Sequence, residues 1–349
     1  MLKYFLGSYI VTAAGLLLAY FWGEHVHVNS GLSCVFIALV LGILEVSLSF
    51  DNAVVNAARL EKMSPKWQHR FLTWGIIIAV FGMRFLFPIL VVSIFANVGL
   101  IEVANMALTD ADKYAHYLHI SHPPIITFGG TFLMMLFFSY FFNKKKDVHW
   151  IKFIEEKLVS FGDFKGIQVV LTLIALYVMQ NYLPQDIRLE VVIAGLWGVI
   201  IYLLIDGFTH MLEARSENTH CTVKVTNTGL KSSCFAGFLY LELIDASFSL
   251  DGVLGAFALS KDILIITIGL SIGAMFVRSL TIMLVEKKTL NQYIYLEQGA
   301  HWAIGALSFI MLFSAIREVP EVVTGLLGLG FIVVAFISSL IHNKNQSKL

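Results

Sequence analysis

The chain has 349 residues, of which 58% are hydrophobic and only 14% are charged, and its mean hydropathy is +0.79. Soluble domains carry about a quarter charged residues, so this composition excludes a soluble globular protein and predicts an all-α, polytopic membrane protein. The formal net charge is zero, no basic cluster indicates nucleic-acid binding, and the three cysteines form no disulfide framework or zinc-site spacing.

Ten apolar runs are long enough to cross a bilayer as helices, and we expect the first to be retained rather than cleaved as a signal peptide. Of the lysines and arginines, 18 fall at the termini and in the even-numbered connections, and only 4 in the odd-numbered connections. Because positive residues favour the cytoplasmic side, both termini should be cytoplasmic, in a bacterial inner (plasma) membrane, and the connection 97–122 should be external. The predicted spans are 4–22, 32–57, 71–96, 123–142, 166–183, 189–212, 232–259, 262–285, 300–316 and 320–341.

The second span contains polar residues that are unusual at membrane depth. An ionised carboxylate there costs several kcal/mol unless it is paired, hydrated or bound to a cation, so two of them indicate a functional site. Glu45 and Asp51 are six residues apart. That separation is about 240° of helical rotation and about 9 Å of rise, so one ion cannot meet both from an unbroken helix. We therefore expect a local break between Ser47 and Asp51. The polar residues of this span are Glu45, Ser47, Ser49, Asp51 and Asn52.

The same stretch recurs in the seventh span at an offset of 200 positions, where eight of the 26 residues from 33 to 58 are identical. Spans two and seven cross the membrane in opposite directions. The duplication therefore indicates a 5+5 inverted-topology repeat, residues 1–187 and 188–349, with a substrate site near the midplane. The polar residues of the second copy are Glu242, Asp245, Ser247, Ser249 and Asp251.

Other charged residues are predicted to support this site. Arg84 and Arg278, in the third and eighth spans, should balance the acids, because an arginine inside a span needs a carboxylate partner. Asp206 and His210, one helical turn apart in the sixth span, form either a proton relay or a hydrated pair near the cytoplasmic end. The connection 143–165 is predicted to be an amphipathic helix on the cytoplasmic surface.

The polar residues of the two copies supply only oxygen ligands, which suit hard divalent cations such as Mn²⁺, Ca²⁺ or Mg²⁺ better than zinc or copper. A structural ion-pair network is one alternative. A second is an intramembrane aspartyl protease using Asp51 and Asp251, since two carboxylates can share a proton for water activation. A third is a membrane scaffold without transport. The sequence contains no zinc-protease, serine-hydrolase or phosphate-loop motif, so we expect no enzyme.

The pattern Glu-x5-Asp-Asn, with Leu48-Ser49 before the aspartate, resembles the signature of the TerC family of integral membrane proteins. That family is associated with manganese export and belongs with the LysE-type exporters, which are built from inverted repeats with acidic motifs. The second copy has Asp245 and Gly252 where the family has glutamate and asparagine, and it resembles a poorly characterised branch. The resemblance covers about residues 32–316. It implies a metal-transport role for Glu45, Asp51, Asn52, Asp245 and Asp251.

Together these features predict a membrane transporter that exports a divalent cation, Mn²⁺ foremost, through an acidic midplane site. The cation is the substrate, no permanently bound cofactor is expected, and the lipid bilayer is the other predicted partner. The predicted metal ligands are Glu45, Asp51, Asn52, Glu242, Asp245 and Asp251, supported by Ser47, Ser49, Ser247, Ser249, Arg84 and Arg278.

Overall fold

The computed structural model describes a helical protein. Every regular element among the described residues is a helix, which confirms the all-α prediction. The helices are α1 (Leu2–Val26), α2 (Gly31–Leu48), α3 (Phe50–Leu60), α4 (Pro65–Ile77), α5 (Phe87–Phe95), α6 (Leu100–Thr109), α7 (Ala111–Phe141), α8 (Lys152–Phe161), α9 (Ile167–Gln180), α10 (Gln185–Ser216), α11 (Ile263–Glu286), α12 (Thr289–Gln292), α13 (Leu296–Ser314) and α14 (Glu321–Gln346), with a π-helical segment (Ile78–Leu86) between α4 and α5. The described residues are 2–26, 30–61, 63–96, 98–144, 146, 148–164, 166–216, 238, 241–242, 245, 252, 256, 259–260, 262–317 and 319–346.

Six helices within these ranges are long and apolar enough to cross a membrane, namely α1, α2, α7, α10, α11 and α14, in agreement with the predicted membrane protein. The remaining predicted spans take other forms. Residues 71–96 are divided by the π-helical segment, 166–183 contain the 14-residue α9, and 300–314 lie in the 19-residue α13, which ends two residues before the predicted span does. The span 232–259 lies mostly outside the described residues.

The connection 97–122 is largely helical, because α6 and the start of α7 occupy most of it. The Asp110 side chain caps α7 by accepting a hydrogen bond from the Lys113 backbone N–H at 3.1 Å. From there α7 continues through Pro123 and Pro124 as one helix. It therefore extends well beyond the predicted span at its N-terminal end.

The largest core lies where α7 packs against α9, α10 and α13. Phe132 of α7 is almost fully buried and meets the ring of Tyr202 on α10 edge-on, with ring centroids 5.6 Å apart. Gly305 on α13 leaves room for Phe137, whose ring lies 2.5 Å from the place that a Cβ would take. Because α13 belongs to the second predicted repeat, this core joins residues from both predicted halves.

A second close contact joins α2 to α11 through small residues. Gly269 and Gly273 of α11 form a Gly-x-x-x-Gly pair, a spacing that lets two helix backbones approach each other. A Cβ on Gly269 would lie 2.8 Å from the Ala38 carbonyl oxygen, and one on Gly273 would lie 2.7 Å from the Gly42 carbonyl oxygen. The missing side chain of Gly273 also makes room for the Cβ and Cγ of Glu45, so this crossing fixes the position of that acid.

Gly273→Ala is expected to lower the free energy of unfolding by about 2 kcal/mol, because the added methyl group cannot fit unless α2 and α11 move apart. Gly7→Ala is the matched control. A Cβ on Gly7 meets nothing within 4 Å, and alanine favours a helix by about 1 kcal/mol. Thermal unfolding in detergent measures both variants, and equal melting temperatures would contradict the close crossing.

The predicted amphipathic segment contains α8, which a buried acid attaches to the rest of the protein. Glu155 on α8 is completely buried. It accepts hydrogen bonds from Lys146 Nζ at 2.6 Å, from Trp302 Nε1 of α13 at 3.0 Å and from the Ile151 backbone N–H at 3.2 Å. Lys146 Nζ in turn lies 4.3 Å from the ring centroid of Phe141 on α7. These contacts connect α8 to both α7 and α13.

Burial alone would raise the pKa of Glu155, but the hydrogen bonds from Lys146 and Trp302 outweigh burial and hold this pKa below its usual value of 4.5. The ionised carboxylate therefore stabilises the docked α8 at any pH above about 4.5. That contribution is lost as the pH falls through the lower pKa of the folded protein.

Glu155→Gln is expected to lower the free energy of unfolding by about 3 kcal/mol at pH 7, because Lys146 loses the buried carboxylate that compensates its charge. Hydrogen exchange of α8 and thermal unfolding measure this change. Lys144→Gln is the control, since it breaks only the exposed ion pair with Asp163 and should change stability by less than about 1 kcal/mol. Unchanged exchange of α8 in Glu155→Gln would show that the acid does not hold the helix.

Candidate functional site

The first acidic stretch is interrupted at Ser49. α2 ends just before this residue, which adopts φ −103° and ψ 16°, and α3 begins just after it at Phe50. The Ser49 hydroxyl donates a hydrogen bond to Glu45 Oε1 at 3.0 Å, a local interaction that serine offers where a helix is interrupted. The predicted break between Ser47 and Asp51 is therefore confirmed, and it is a single residue.

Glu45 is paired with Arg84. Their side chains are only 2% and 3% exposed, respectively, and Arg84 Nη2 donates to Glu45 Oε1. Arg84 Nε donates a second hydrogen bond to the Leu270 carbonyl oxygen at 3.1 Å. Arg84 lies in the π-helical segment, a form of helix that occurs frequently at functional sites. The structure thus brings the first acid together with the arginine expected to balance it.

Asn52 connects the two copies of the motif. Its Nδ2 donates to Asp245 Oδ1 at 2.6 Å, and its backbone N–H donates to Asp51 Oδ1 at 2.9 Å. At the other end of the stretch, Glu45 Oε2 lies 2.9 Å from the place of a Cβ on Gly252. At the offset of 200, Asp245 is the equivalent of Glu45, and Gly252 is the equivalent of Asn52. Glu45 therefore lies next to the equivalent of Asn52, and Asn52 bonds to the equivalent of Glu45.

A cavity of about 30 Å³ lies beside these residues and has room for one or two water-sized groups. Two of its lining atoms, Glu242 Oε1 and Asn56 Oδ1, are buried and accept no hydrogen bond from the described residues. A buried oxygen without a donor is costly, so two of them on one cavity indicate a place for a cation or a hydrogen-bond donor. The charged and polar residues of the lining are Asn56, Arg84, Glu242, Asp245, Arg278 and Thr281.

Gly75 shapes one wall of the cavity. Glu242 Oε1 and Arg278 Nη1 lie 2.6 and 3.2 Å from the place of a Gly75 Cβ, so a larger residue would displace the acid. The Arg278 guanidinium lies over the Phe71 ring, 4.7 Å from its centroid. This cation–π contact holds a buried positive charge at the edge of the cavity.

The charges around the cavity are nearly balanced. Among the described residues, the acids Glu242 and Asp245 line the cavity together with Arg84 and Arg278. Glu45 adds one further acid through its pairing with Arg84. With these three acids ionised the formal charge is −1, and this excess favours a cation because Coulomb attraction is strong away from water.

Several predicted residues are not brought to this cavity. Ser47 donates to the Ile43 carbonyl oxygen and lines a groove between α1, α2 and α11. Asp206 is half-buried on α10, which packs mainly against α7 and α9, and the His210 side chain is not described. Within the described ranges, no three histidine, cysteine or carboxylate side chains are arranged to hold a metal. Ser247, Ser249 and Asp251 lie outside the described residues.

Sequence analysis missed seven residues of the cavity, among them Asn56, Phe71, Gly75 and Thr281. Asn56 follows Asn52 by four residues, so helical spacing alone offered a signal for it. Gly75, Phe71 and Thr281 carry no comparable signal, because their roles depend on how α4 and α11 pack against the second copy.

A family model described as a protein of unknown function, DUF475, matches residues 50–346 of the chain. No curated protein and no solved structure matches it. The matched region covers most of the chain and includes Asp51, Asn52, both buried arginines and the second copy of the motif. The protein therefore belongs to the DUF475 family.

Proposed function

We propose that the protein is a transporter that exports a divalent metal cation, with Mn²⁺ as the first candidate substrate. The observation that carries this proposal is the cavity between the motif copies, where Glu242 Oε1 and Asn56 Oδ1 have no donor among the described residues. A cation that leaves water needs oxygen atoms in place of its hydration shell. Carboxylate and amide oxygens are ligands that Mn²⁺, Mg²⁺ and Ca²⁺ prefer.

The charge of the site supports a cationic substrate. The acids Glu45, Glu242 and Asp245 and the two arginines leave a formal charge of −1 among the described residues. In the absence of the metal, the arginines reduce the mutual repulsion of the buried carboxylates. Arg84 and Arg278 therefore stabilise the empty site.

We also propose ten transmembrane helices in a 5+5 inverted repeat, 1–187 and 188–349, with both termini cytoplasmic in a bacterial inner membrane. The exchanged pairing of Glu45 with Gly252 and of Asn52 with Asp245 supports antiparallel copies. Transporters built from inverted repeats bind their substrate where the repeats meet, and the cavity is lined by residues from both predicted halves. The resemblance to the TerC exporters belongs to the same proposal.

Metal flux into sealed vesicles tests the transport function. Purified protein in liposomes is expected to carry Mn²⁺ faster than protein-free liposomes do, and Zn²⁺ much more slowly, because the site offers only oxygen ligands. A panel of Mn²⁺, Mg²⁺, Ca²⁺ and Zn²⁺ identifies the substrate. Flux at the protein-free level for all four ions would overturn the proposal, and cleavage of a membrane peptide under those conditions would favour the protease instead.

Reporter fusions test the topology. A reporter fused after Lys144 is expected to lie in the cytoplasm, and one fused next to Lys113 outside, because the lysine and arginine asymmetry places these connections on opposite sides. The pair is internally controlled, since the two fusion points lie near opposite ends of the same helix, α7. Two reporters on the same side would contradict the ten-helix topology.

A further inference from the structure

A second cavity lies between α11 and α14, apart from the metal site. Its volume is about 600 Å³, within the range of small-molecule sites. Phe50 belongs to its lining, and the polar residues Lys287, Thr289 and Gln292 lie where α11 ends and α12 begins. The apolar walls are formed by Leu280, Met283, Leu284, Leu329, Ile332 and Phe336.

The polar end of this groove is positively charged. Lys287 and the adjacent Lys288 are both exposed, and Lys287 borders the groove. The adjacent acid Glu286 does not belong to the lining. The groove therefore combines an apolar interior with a cationic rim, the complement of a lipid that has an acyl chain and a negative headgroup.

We propose that this groove binds one anionic phospholipid, with an acyl chain against Phe50 and the phosphate at Lys287. A second copy of the chain is a poorer occupant. A twofold contact through this groove would bring the Lys287 and Lys288 pairs of both copies into one interface, and like charges repel. An anionic lipid instead neutralises them.

The lipid site is linked to the metal site through Phe50. This residue follows the break at Ser49 and directly precedes Asp51, so a lipid chain in the groove contacts the helix that carries Asp51 and Asn52. A lipid in the groove therefore restrains α3. The effect of this restraint on transport rests on the proposed function, but lipid binding itself does not.

Native mass spectrometry of the full-length protein tests the binding. The protein in detergent is equilibrated with phosphatidylglycerol or with phosphatidylcholine that has the same acyl chains. We expect phosphatidylglycerol to be retained about fivefold better, and Lys287→Gln to abolish this preference, since one lysine near a lipid surface contributes about that factor. Lys157→Gln, at an exposed position on α8, is the control and should keep the preference.

Three results would overturn the lipid site: no preference in the unchanged protein, the same preference in Lys287→Gln, or a lipid-free dimer in place of the adduct. Met283→Trp, which fills the groove, should reduce the retention of both lipids. Flux in liposomes with and without phosphatidylglycerol tests the link to α3, with a stimulation expected that Lys287→Gln lacks. Lipid retention without any metal flux would contradict the proposed transport function but not the proposed lipid site.

Discussion

Asp245→Asn is expected to reduce Mn²⁺ uptake to the level of protein-free vesicles while the protein remains folded in the membrane. Asparagine keeps the shape of the side chain, and its Oδ1 can still accept the hydrogen bond from Asn52 Nδ2. The change removes one of the two negative charges that line the cavity, so the formal charge of the site rises from −1 to zero. The remaining ligands then no longer offset the free energy that a divalent cation loses when it leaves its hydration shell.

Asp51→Asn tests whether the two copies act on one ion. Asp51 is 4% exposed and shares Asn52 with Asp245, so its loss should stop uptake to the same degree. The double variant should be no worse than either single variant, because residues that act as a unit are not additive. Asp186→Asn, at an exposed position on α10, is the control and should transport normally. Normal Mn²⁺ uptake by either site variant would show that the substituted residue is not required for transport.

Arg84→Gln is expected to lower the free energy of unfolding by about 4 kcal/mol. The substitution leaves the carboxylate of Glu45 buried without the positive charge that compensates it, which is far more costly than the loss of a surface ion pair. Arg84→Lys should recover only part of the stability. A single ammonium group does not reproduce the fixed guanidinium geometry that bonds both Glu45 and the Leu270 carbonyl oxygen.

A double variant separates charge from packing. Glu45→Gln combined with Arg84→Gln removes both buried charges and should be more stable than Arg84→Gln alone, a non-additivity typical of directly paired residues. Arg70→Gln, at an exposed position, should change stability by less than about 1 kcal/mol and serves as the control. Denaturant unfolding in micelles measures all four variants. Equal stability of Arg84→Gln and the unchanged protein would show that the arginine does not compensate Glu45.

Sequence analysis succeeded where the energetic cost or the helical spacing of a residue left few structural alternatives. Carboxylates at membrane depth had to be compensated, and the structure pairs Glu45 with Arg84. The six-residue spacing of Glu45 and Asp51 required an interruption, and the helix is interrupted at Ser49. The repeat at an offset of 200 indicated which second-copy residues should lie nearby, and Asp245 meets Asn52.

Sequence analysis failed where tertiary packing determined the local structure. The π-helical segment around Arg84 has no composition that distinguishes it from the rest of an apolar span. Ser47 belongs to the repeated Ser-x-Ser-x-Asp pattern, yet it lies two residues from the buried Glu45, faces away from the inward side of α2 and bonds to its own helix. The length of α9 was also overestimated, because apolar residues continue beyond the last residue that keeps the helical hydrogen bonds.

The attachment of α8 joins helices from both predicted repeats. Tyr140 of α7 stacks on His301 of α13 with ring centroids 3.4 Å apart, and Glu155 of α8 bonds to Trp302 of α13. These contacts join α7, α8 and α13 into one packed unit, and α3 and α11 also contribute residues to its core. Under the proposed transport function, a movement of one predicted repeat against the other would therefore have to break these contacts.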